Sequence, residues 1–357
     1  MILFVGPLPP PVHGFSTINA AMLEALRGRD AVLAFDRAPG PGGLLRRLGR
    51  EGAGLLRFGR ALLRPRPRSL YLGLSGGLGQ ALDALYLAMS ALGRRCPLRV
   101  VHHHSYAYLT RPSRLTRLCL GCAGGALHVA LCPDMAARLT ATYGIAPERI
   151  LVLSNVVFME ADALASDPEP SGLRLGFLSA VTEAKGIFVF LEVVRLLRGQ
   201  GLPAEGLIAG PLEPGLRERF ERDLANTPGT TYLGPVYGAA KQSFLGRLDA
   251  LVFPTRYHNE AEPVVVLEAL RAGVLVLATR RGCMAAQLEG QPVPALPEVG
   301  FAVEAAAWLQ RCHEHPDVQA EARRQARAGF QVLQDRHRAT LELLLARFQP
   351  PGDKVPS

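Results

Sequence analysis

Short apolar runs alternate with amphipathic stretches along most of the chain, and the apolar runs have the length of buried strands. The stretches between them carry apolar residues at helical spacing, with polar residues on the opposite face. In the first half the predicted strands are 2–5, 31–35, 69–74, 98–102, 126–131 and 150–153. Strands that alternate with helices indicate βαβ units and therefore a parallel sheet.

The alternation breaks at 157–172, a segment that contains proline and acidic residues and has little periodicity. It then restarts, with predicted strands at 173–178, 204–209, 230–233, 250–253 and 275–278. Three further helical segments are predicted at 298–313, 318–329 and 331–348. Two such halves in tandem predict an α/β protein with two Rossmann-like, doubly wound domains and a ligand cleft between them.

The predicted domain boundaries follow from this break. They are a first domain at 1–157, a linker at 158–172, a second domain at 173–330, and a C-terminal helix and tail at 331–357. No run reaches about 18 uninterrupted apolar residues, so we predict no transmembrane helix. No basic segment precedes the first apolar run at 2–5, so we predict a cytoplasmic protein without a signal peptide.

The chain of 357 residues has a formal net charge of +9, and this charge is unevenly placed. Residues 1–155 contain 19 arginines, no lysine and seven acidic residues, a net charge of +12, whereas the remainder carries −3. Such asymmetry between the halves predicts that the first half contacts something anionic.

Part of that positive charge lies in a segment where arginine and leucine interleave. Its arginines are Arg46, Arg47, Arg50, Arg57, Arg60 and Arg64, followed by Arg66 and Arg68. A basic amphipathic segment suits the surface of an anionic membrane, and predicts peripheral attachment at the inner face of the cytoplasmic membrane. The alternative is an ordinary helix with a solvated arginine face. Nucleic acid is not predicted, because no nucleic-acid module or aromatic stacking pattern accompanies the charge.

The most specific motif follows the predicted strand at 250–253. A polar loop carries Glu260 beyond the carboxyl end of this strand, and a helix is predicted to begin at Pro263, which suits a first helical turn. Pro263 and Val264 then lie at a helix N-terminus, whose free N–H groups and positive dipole end favour a phosphate. Glu268 lies about a turn and a half into this helix. Both carboxylates can therefore face one polar ligand.

A second motif joins the predicted strand at 173–178 to the helix after it. Ser179 ends the strand, and Lys185 and Gly186 open the helix. A lysine at this place can neutralise a diphosphate as a point charge, and the helix N-terminus reinforces that attraction.

These two motifs resemble those of glycosyltransferase family 4, whose members are retaining GT-B enzymes. The proline-rich loop at 5–19 resembles the bacterial cell-surface polysaccharide type of that family. The family signature is two glutamates with seven residues between them, and Glu260 and Glu268 match it. The resemblance implies that Glu260 lies beside the transferred sugar and the donor phosphates. It implies that Glu268 accepts hydrogen bonds from the ribose hydroxyls, and that Ser179 and Lys185 also bind the donor.

The resemblance further implies a GT-B fold, a UDP- or GDP-sugar as donor, and a glycan or lipid-linked acceptor. It implies that the last helix returns to the first domain. The chain departs from the family at Ala180, because family members commonly carry an arginine five residues before the lysine. Arg256 is a candidate substitute for that cation.

The loop after the first predicted strand is rich in proline and leads through Gly14 and Ser16 into a helix predicted at 16–27. Glycine lets the backbone approach a ligand closely, and serine is a favoured N-cap. In the family this loop closes over the donor phosphates and the acceptor. Gly14 is therefore expected to contact the donor and Ser16 the acceptor, with a rigid turn as the alternative.

Two further strand ends of the first half carry candidate acceptor-binding residues. Ser75 and Gly76 lie in a glycine-rich loop that lacks the last glycine of a dinucleotide fingerprint, so we interpret it as an acceptor loop. His102 and His104 alternate along a strand end and are expected on one face. The resemblance places His104 at the transferred sugar or the acceptor, as a catalytic candidate. Zinc is a competing interpretation, but a bare His-x-His lacks a third ligand.

Several other functions remain open from the sequence. No cofactor is expected beyond the nucleotide-sugar co-substrate, and the absence of an Asp-x-Asp motif favours metal-independent transfer. A sugar-nucleotide epimerase or a phosphorylase could share the fold. A non-catalytic binding protein of a polysaccharide assembly complex is a third possibility, and Ala180 is the feature that favours it. A dehydrogenase is disfavoured by the missing dinucleotide fingerprint.

Overall fold

The computed structural model describes residues 1–40, 43–64, 69–92, 96–160 and 173–349. The chain divides into two compact units, one formed by Met1–Met159 with Asp335–Ser357 and the other by Glu160–Gln334. Most of the predicted linker, Arg66, Arg68 and the C-terminal tail from residue 350 lie outside the described residues.

The first unit contains one sheet of six parallel strands in the order β2-β1-β3-β4-β5-β6. The strands are β1 (Ile2–Gly6), β2 (Val32–Asp36), β3 (Ser69–Leu74), β4 (Leu98–His103), β5 (Leu127–Ala130) and β6 (Ile150–Val152). The helices are α1 (Gly14–Arg27), α2 (Leu44–Leu62), α3 (Gln80–Ala91), α4 (Ala107–Thr110), α5 (Arg114–Cys122) and α6 (Pro133–Tyr143). All five residues of β1 are buried, as expected of a central parallel strand covered on both faces.

The second unit contains a sheet of five parallel strands in the order β11-β10-β7-β8-β9. The strands are β7 (Leu173–Leu178), β8 (Ala204–Ala209), β9 (Thr230–Tyr232), β10 (Ala250–Phe253) and β11 (Leu275–Ala278). The helices are α7 (Ile187–Gly199), α8 (Arg217–Ala225), α9 (Gly238–Gly246), α10 (Val264–Arg271), α11 (Met284–Gln287), α12 (Phe301–Glu314) and α13 (Pro316–Ala346). The prediction of parallel α/β sheets is therefore confirmed.

Each unit has its own apolar core. In the first unit the core includes residues of the central strands, of α1 and of the end of the chain: Ile2, Phe4, Met22, Tyr71, Val100, Leu344 and Phe348. In the second unit it includes strand residues together with side chains of α7 and α12: Phe177, Phe190, Val194, Val252, Leu277 and Leu309. The residues of α13 from Asp335 onward belong to the first unit.

Several helix boundaries differ from the prediction. The helix after β1 begins at Gly14, not at Ser16, and α10 begins at Val264 because Pro263 is its N-cap. The segments predicted at 318–329 and 331–348 form one helix, α13. Gly329 does not break this helix. A Cβ there would lie 1.9 Å from Nε2 of Gln291, so the glycine allows a close approach of that side chain.

Each sheet has a point at which the strand order reverses direction. In the first unit this point lies between β1 and β3, and in the second unit between β7 and β10. Loops at the carboxyl ends of strands diverge at such a point and leave a crevice, where ligands of open α/β sheets bind. The candidate residues after β1, β3, β7 and β10 are therefore placed where this rule expects a site.

Candidate active site

The second unit joins the two predicted motifs at its switch point. Lys185 follows β7 and Glu260 follows β10, and the lysine Nζ lies 2.5 Å from Oε2 of Glu260. The Thr255 hydroxyl donates a hydrogen bond of 3.1 Å to the same oxygen. Both charged side chains are largely, but not fully, shielded, with 18% and 11% of their side-chain surfaces exposed. A cation and a carboxylate are thus held together at the edge of the sheet.

Two glycines bring these loops close enough for that contact. Gly186 has a φ of +83°, and a Cβ there would lie 2.2 Å from the carbonyl oxygen of Pro254. Gly282 has a φ of +56°, and a Cβ there would lie 2.4 Å from the carbonyl oxygen of Glu260. Side chains at either position would be strained and would separate the backbones. The spacing of Lys185 and Glu260 therefore depends on glycine at both places.

Lys185 also lies against an aromatic ring. Its Nζ is 4.6 Å from the ring centroid of Tyr257 and 5.8 Å from that of Phe253. A cation over an aromatic face is attracted by the ring quadrupole, and this holds the ammonium group in place. The sequence analysis did not single out Tyr257, although its position three residues before Glu260 was a usable signal.

The second glutamate has a partner that the sequence analysis missed. Lys241 in α9 lies 2.6 Å from Oε1 of Glu268 in α10. The other oxygen, Oε2, is buried and has no hydrogen-bond partner among the described residues. One carboxylate oxygen is therefore held by a lysine while the other remains free to accept a hydrogen bond. Nothing in the spacing of Lys241 and Glu268, 27 positions apart, indicates this pair.

The start of α10 lies between the two glutamates. Pro263 is buried and is the N-cap of α10; its carbonyl accepts a 3.2 Å hydrogen bond from the Val266 amide, and no side chain at the N-cap accepts from the amides of Val264 and Val265. Free amides at a helix N-terminus, with the positive end of the dipole, attract an anionic group. Ser179, another predicted donor residue, follows β7 and is half-buried, with its amide bonded to the Ala209 carbonyl.

The candidate substitute for the arginine missing at Ala180 is engaged elsewhere. Nε of Arg256 lies 3.4 Å from Oε1 of Glu298, and Arg281 lies 2.6 Å from the other oxygen of the same carboxylate. The backbone of Arg256 is nevertheless close to the lysine loop, because its amide donates a 2.7 Å hydrogen bond to the Ala184 carbonyl. A role for Arg256 toward a diphosphate remains a prediction.

In the first unit, the loop after β1 is closed by its own side chains. His13 is the N-cap of α1, and its Nδ1 accepts a hydrogen bond from the Ser16 amide at 3.2 Å. The Ser16 hydroxyl accepts from the His13 amide and donates to the Pro11 carbonyl at 2.8 Å. The interpretation of Ser16 as the N-cap is therefore wrong, because the helix begins two residues earlier. Ser16 is fully buried, whereas Gly14, the first helical residue, is exposed.

A buried ion pair organises the loop after β3. The Asp83 carboxylate accepts a 2.8 Å hydrogen bond from the Ser75 amide and pairs with the Arg37 guanidinium. Burial raises the pKa of Asp83 to about 6, against the opposing attraction of Arg37. Gly76 is exposed at the tip of the same loop. The sequence analysis missed this pair, although an acid in the first turn of the otherwise apolar α3 was a signal.

The histidines at the end of β4, His102 to His104, lie on two faces, as alternation along a strand predicts. His102 is fully buried, and its Nδ1 is 2.6 Å from the Tyr71 hydroxyl. The His104 ring is half-buried between the rings of His102 and Phe15, with centroid distances of 4.1 and 4.5 Å. His103 points to the other face, where it contacts Tyr108 at 2.8 Å.

These imidazoles are neutral near pH 7. Burial lowers the pKa of His104 to about 3, with a smaller contribution from the nearby His103. Burial also lowers the pKa of His102 and of His103 well below the ordinary value. Nε2 of His102 and Nε2 of His104 have no hydrogen-bond partner among the described residues. A neutral imidazole with a free ring nitrogen can accept or donate one hydrogen bond, which suits a sugar hydroxyl.

Asn19 is a polar residue of the same region that was not among the predicted site residues. It is fully buried, and its amide nitrogen donates a 3.1 Å hydrogen bond to the Pro7 carbonyl. Its Oδ1 has no partner among the described residues. A Cβ at Gly73 would lie 2.7 Å from that oxygen, so the glycine at the end of β3 leaves room for it.

Within the described residues, the structure contains neither a cluster suited to a metal ion nor a helix suited to crossing a membrane. No group of three or more histidine, cysteine, aspartate or glutamate side chains in those ranges is arranged to hold a metal ion. Among the helices that the structure describes, none combines the length and the apolar character needed to cross a bilayer.

Solved structures define the class to which this fold belongs: the two-domain α/β fold of GT-B glycosyltransferases. HepE of Anabaena in complex with UDP-glucose is similar, with a TM-score of 0.70, 16% identity, and coverage of 97% of this chain and 98% of that chain. The lipopolysaccharide outer core galactosyltransferase WaaB has a TM-score of 0.68, 12% identity, and coverage of 97% and 99%. WaaG, a glycosyltransferase involved in lipopolysaccharide biosynthesis, has a TM-score of 0.61, 13% identity, and coverage of 99% and 100%.

A sequence family can also be assigned to part of the chain. Residues 172–312 match the family model Glyco_trans_1_4, described as glycosyl transferases group 1. This segment contains β7 to β11 and therefore Lys185, Lys241, Glu260 and Glu268. No curated protein sequence matches the chain.

Proposed function

We propose that this protein is a glycosyltransferase that moves a sugar from a nucleoside-diphosphate sugar to a glycan or lipid-linked acceptor, in cell-envelope or exopolysaccharide biosynthesis. The observation that carries the proposal is the contact of Lys185 with Glu260 at the β7/β10 switch point, within the segment that matches group 1 glycosyl transferases. The similar HepE structures with UDP and UDP-glucose support a uridine donor as the first candidate.

In this proposal the second unit binds the donor. The diphosphate lies at the start of α10, near Ser179, Pro263 and Val264, and draws Lys185 from the Glu260 carboxylate toward the leaving phosphate. A cation preorganised at the atom where negative charge develops stabilises the transition state. Glu260, released from the lysine, then accepts hydrogen bonds from the hydroxyls of the transferred sugar.

The nucleoside is bound by the second glutamate. The free Oε2 of Glu268 accepts a hydrogen bond from a ribose hydroxyl, while Lys241 holds Oε1. A buried acceptor without a partner costs free energy, and a ribose hydroxyl supplies the missing bond. Lys241 is in this scheme a positioning residue, because it acts on the ligand through Glu268.

The proposed reaction retains the configuration at the anomeric carbon, as the resemblance to glycosyltransferase family 4 implies. The acceptor hydroxyl oxygen bonds to the anomeric carbon on the face from which the diphosphate leaves. The bond from that carbon to the phosphate oxygen breaks, and the hydroxyl proton passes to the departing phosphate. Transfer is proposed to be metal-independent. Turnover that persists in excess chelator supports this, and complete loss of turnover contradicts it.

The first unit is proposed to bind the acceptor. Its candidates at the β1/β3 switch point and the next strand end are Ser16, Ser75, Gly76, His102 and His104. Gly14, in the same unit, is instead assigned to the donor phosphates. Among the others, His104 is the strongest catalytic candidate, because its ring is only half-buried and its Nε2 is free.

We also propose that α2 attaches the protein to an anionic membrane surface on the cytoplasmic side. Leu45, Leu56 and Leu63 are exposed by 85%, 67% and 75%, and their spacing of three and two helical turns places them in one row. Exposed arginines, among them Arg46 and Arg60, flank this row on one side. Flotation with anionic vesicles tests the attachment. Leu56→Gln with Leu63→Gln should weaken it, whereas Leu343→Gln, on the exposed face of α13, should not.

The second candidate function is non-catalytic binding of a nucleotide-sugar in an assembly complex. Ala180 favours it, because an arginine that commonly assists the diphosphate is missing. A protein of this kind binds a nucleoside diphosphate but transfers no sugar. An epimerase of the same fold would convert the nucleotide-sugar without an acceptor, so product analysis separates the three functions.

The deciding experiment measures thermal stability with UDP, GDP, ADP, CMP and NAD, for the native protein and for Glu268→Ala. A ligand at 100 times its Kd stabilises the folded state by about 2.7 kcal/mol, which shifts the Tm by a few degrees. A shift with one nucleoside diphosphate that the variant loses supports the proposal and identifies the base. A shift with NAD alone, or with none of the five, contradicts it.

A further inference from the structure

A cavity of about 210 Å³ opens in the first unit beyond the end of β2. Its wall combines Phe35 and Asp36 of β2 with Arg50, Glu51 and Arg57 of α2, and Tyr86 of α3 closes it from the third side. Arg50 and Arg57 belong to the arginine-rich segment, whose charge the proposed donor site does not use.

The two carboxylates that line this cavity already have partners within the protein. Oδ1 of Asp36 accepts hydrogen bonds from the amides of Leu8 and Ala38 at 2.9 and 2.8 Å. Glu51 lies 3.6 Å from Nε of Arg37, which itself pairs with the buried Asp83. Glu51 is therefore paired with a cation of the protein, and the Asp36 carboxylate is hydrogen-bonded to backbone amides, which leave its negative charge in place.

The two arginines of the wall have no such partner. Within the ranges that the structure describes, neither Arg50 nor Arg57 pairs with a carboxylate. The Arg57 guanidinium lies over the Phe35 ring at 5.7 Å. The Arg50 guanidinium packs on Gly40, where a Cβ would lie 1.6 Å from its Nη1. Both arginines thus contact neutral groups, and neither forms an ion pair with a carboxylate among the described residues.

A hydroxyl group completes the polar lining. Only 1% of Tyr86 is exposed, and no hydrogen bond to its hydroxyl occurs among the described residues. A Cβ at Gly54 would lie 2.9 Å from that oxygen, so the hydroxyl is near the α2 backbone that lines the same cavity. The cavity therefore presents two guanidinium groups and one unpaired hydroxyl donor.

From this arrangement we infer that the cavity binds a phosphate group. Guanidinium groups bind phosphate through paired, charge-assisted hydrogen bonds, and a tyrosine hydroxyl supplies one more donor. The inference rests on the proposed function in one respect: it gives the acceptor a phosphate, consistent with a lipid-linked glycan. The same chemistry would bind a free phosphate compound, so the experiment uses both sources.

The experiment compares two double variants of the full chain with equal charge. Arg50→Gln with Arg57→Gln removes the cavity cations, and Arg46→Gln with Arg60→Gln removes two exposed cations of the same helix outside the cavity. Tyr86→Phe removes the hydroxyl without changing charge. One arm measures calorimetric binding of inorganic pyrophosphate in excess UDP, so that the nucleotide site is filled. The other measures flotation with phosphatidylcholine vesicles that contain phosphatidic acid.

The cavity variant is expected to bind at least one probe about tenfold or more weakly than the native protein, and Tyr86→Phe about threefold more weakly. In the pyrophosphate arm the control variant is expected to bind like the native protein. In the vesicle arm it is expected to lose less than the cavity variant, because Arg46 and Arg60 belong to the proposed membrane-attachment face of α2 but not to the cavity. An effect on pyrophosphate assigns the site to soluble phosphates, and an effect on vesicles alone assigns it to a lipid phosphate. Equal losses in the two double variants, or no binding of either probe by the native protein, would overturn the inference.

Failure of the inference about the phosphate cavity can be distinguished from failure of the proposed glycosyltransferase function. The UDP-dependent thermal shift depends on residues of the second unit, and the cavity variant should retain it. A native protein that shows no such shift but binds a probe through Arg50 and Arg57 keeps the phosphate cavity and loses the transferase proposal.

Discussion

Each unit carries polar side chains at the carboxyl ends of the strands of its own parallel sheet. The two units differ in whether those side chains are charged and in how the charges are paired. In the second unit, each candidate glutamate lies within 2.6 Å of a lysine from a distant part of the chain. In the first unit, the side chains at the switch point are mainly neutral, and His102 and His104 keep free ring nitrogens in a buried setting. The comparison indicates that only the second unit is organised to receive a strongly charged ligand at its switch point.

The reason lies in what each kind of side chain can do without its ligand. An unpaired buried charge is costly, so lysine and glutamate neutralise one another; in the proposed function a diphosphate and a sugar replace those contacts. A neutral imidazole needs no charged partner while the ligand is absent, and it can still form a hydrogen bond with a hydroxyl group. The first unit has unpaired positive charge too, but it lies on α2 beside the end of β2 and not at the β1/β3 switch point.

The largest expected effect tests the lysine–glutamate pair at the switch point of the second unit. Lys185→Met should lower the rate of sugar transfer by about a hundredfold to a thousandfold, because the cation at the leaving phosphate is lost. The measurement is the rate of nucleoside diphosphate release with a nucleotide-sugar and an acceptor extract. Glu183→Gln is the control, since this exposed residue pairs with Arg219 near the same loop. A similar loss in both variants would show that the loop, not the lysine charge, is responsible.

The next effect tests the neutral, buried histidines of the first unit. The native pKa of His104 is about 3 and that of His128 about 4, both lowered mainly by burial, whereas an unfolded histidine titrates near 6.5. Below pH 6.5 the unfolded chain therefore binds protons that the native protein does not. Each such histidine lowers the free energy of unfolding by about 1 kcal/mol between pH 7 and 5.5.

The measurement is the unfolding midpoint by circular dichroism at pH 7 and pH 5.5. Asp83 acts in the opposite direction, because its native pKa of about 6 is raised and the native state takes up its proton first. The net expectation is lower stability at pH 5.5. His128→Asn should reduce the difference, while His315→Asn, on an exposed residue, should leave it unchanged. A midpoint that does not fall would mean that the histidines are charged in the native protein.

A smaller effect separates the two lysine–glutamate pairs. Lys241→Met should weaken nucleoside diphosphate binding by about tenfold and reduce the preference for ribose over 2′-deoxyribose, because Glu268 loses its anchor. The measurement compares the Kd of UDP and of 2′-deoxy-UDP. Lys241→Arg should restore much of the preference. A variant that binds both nucleotides more weakly by the same factor, so that the ratio of their two Kd values is unchanged, would leave Lys241 with a purely structural role.

The smallest effect concerns the loop after β1. Ser16→Ala removes one half of the capping box with His13, and should lower the free energy of unfolding by about 1 kcal/mol. Urea unfolding measures this change. Thr17→Ala, at an exposed position of the same helix turn, is the control. A loss of acceptor binding without loss of stability would instead favour direct contact of Ser16 with the acceptor.

The limits of prediction follow from the range of the interactions concerned. The strands at 173–178 and 250–253 were predicted at their observed bounds, since a short apolar run bounded by polar residues is a local signal. Glu260, Glu268 and Lys185 were identified from local motifs as well. Lys241 was missed because its pairing depends on two helices packing together, and no local pattern reports that.

The helix boundaries show the same limit on a smaller scale. Two helical segments, 318–329 and 331–348, were predicted where α13 is continuous, and the Gln291 side chain occupies the space that a Cβ at Gly329 would fill. Ser16 suggested an N-cap, but His13 takes that position and uses Ser16 as its partner. At Ser16 a residue type was interpreted by its commonest role, and a neighbour in space decided otherwise.

By itself the sequence determined the parallel α/β organisation, the two polar loops of the second unit, and the concentration of arginine in the first. These are properties of periodicity and composition, which act through neighbours along the chain. Only the tertiary structure decided which charges are paired. Lys185 and Glu260 are 75 positions apart and Arg37 and Asp83 are 46 apart, yet both pairs are in contact. Because an electrostatic interaction depends on distance in space and on burial, its partners become known only when the sheet has brought the loops together.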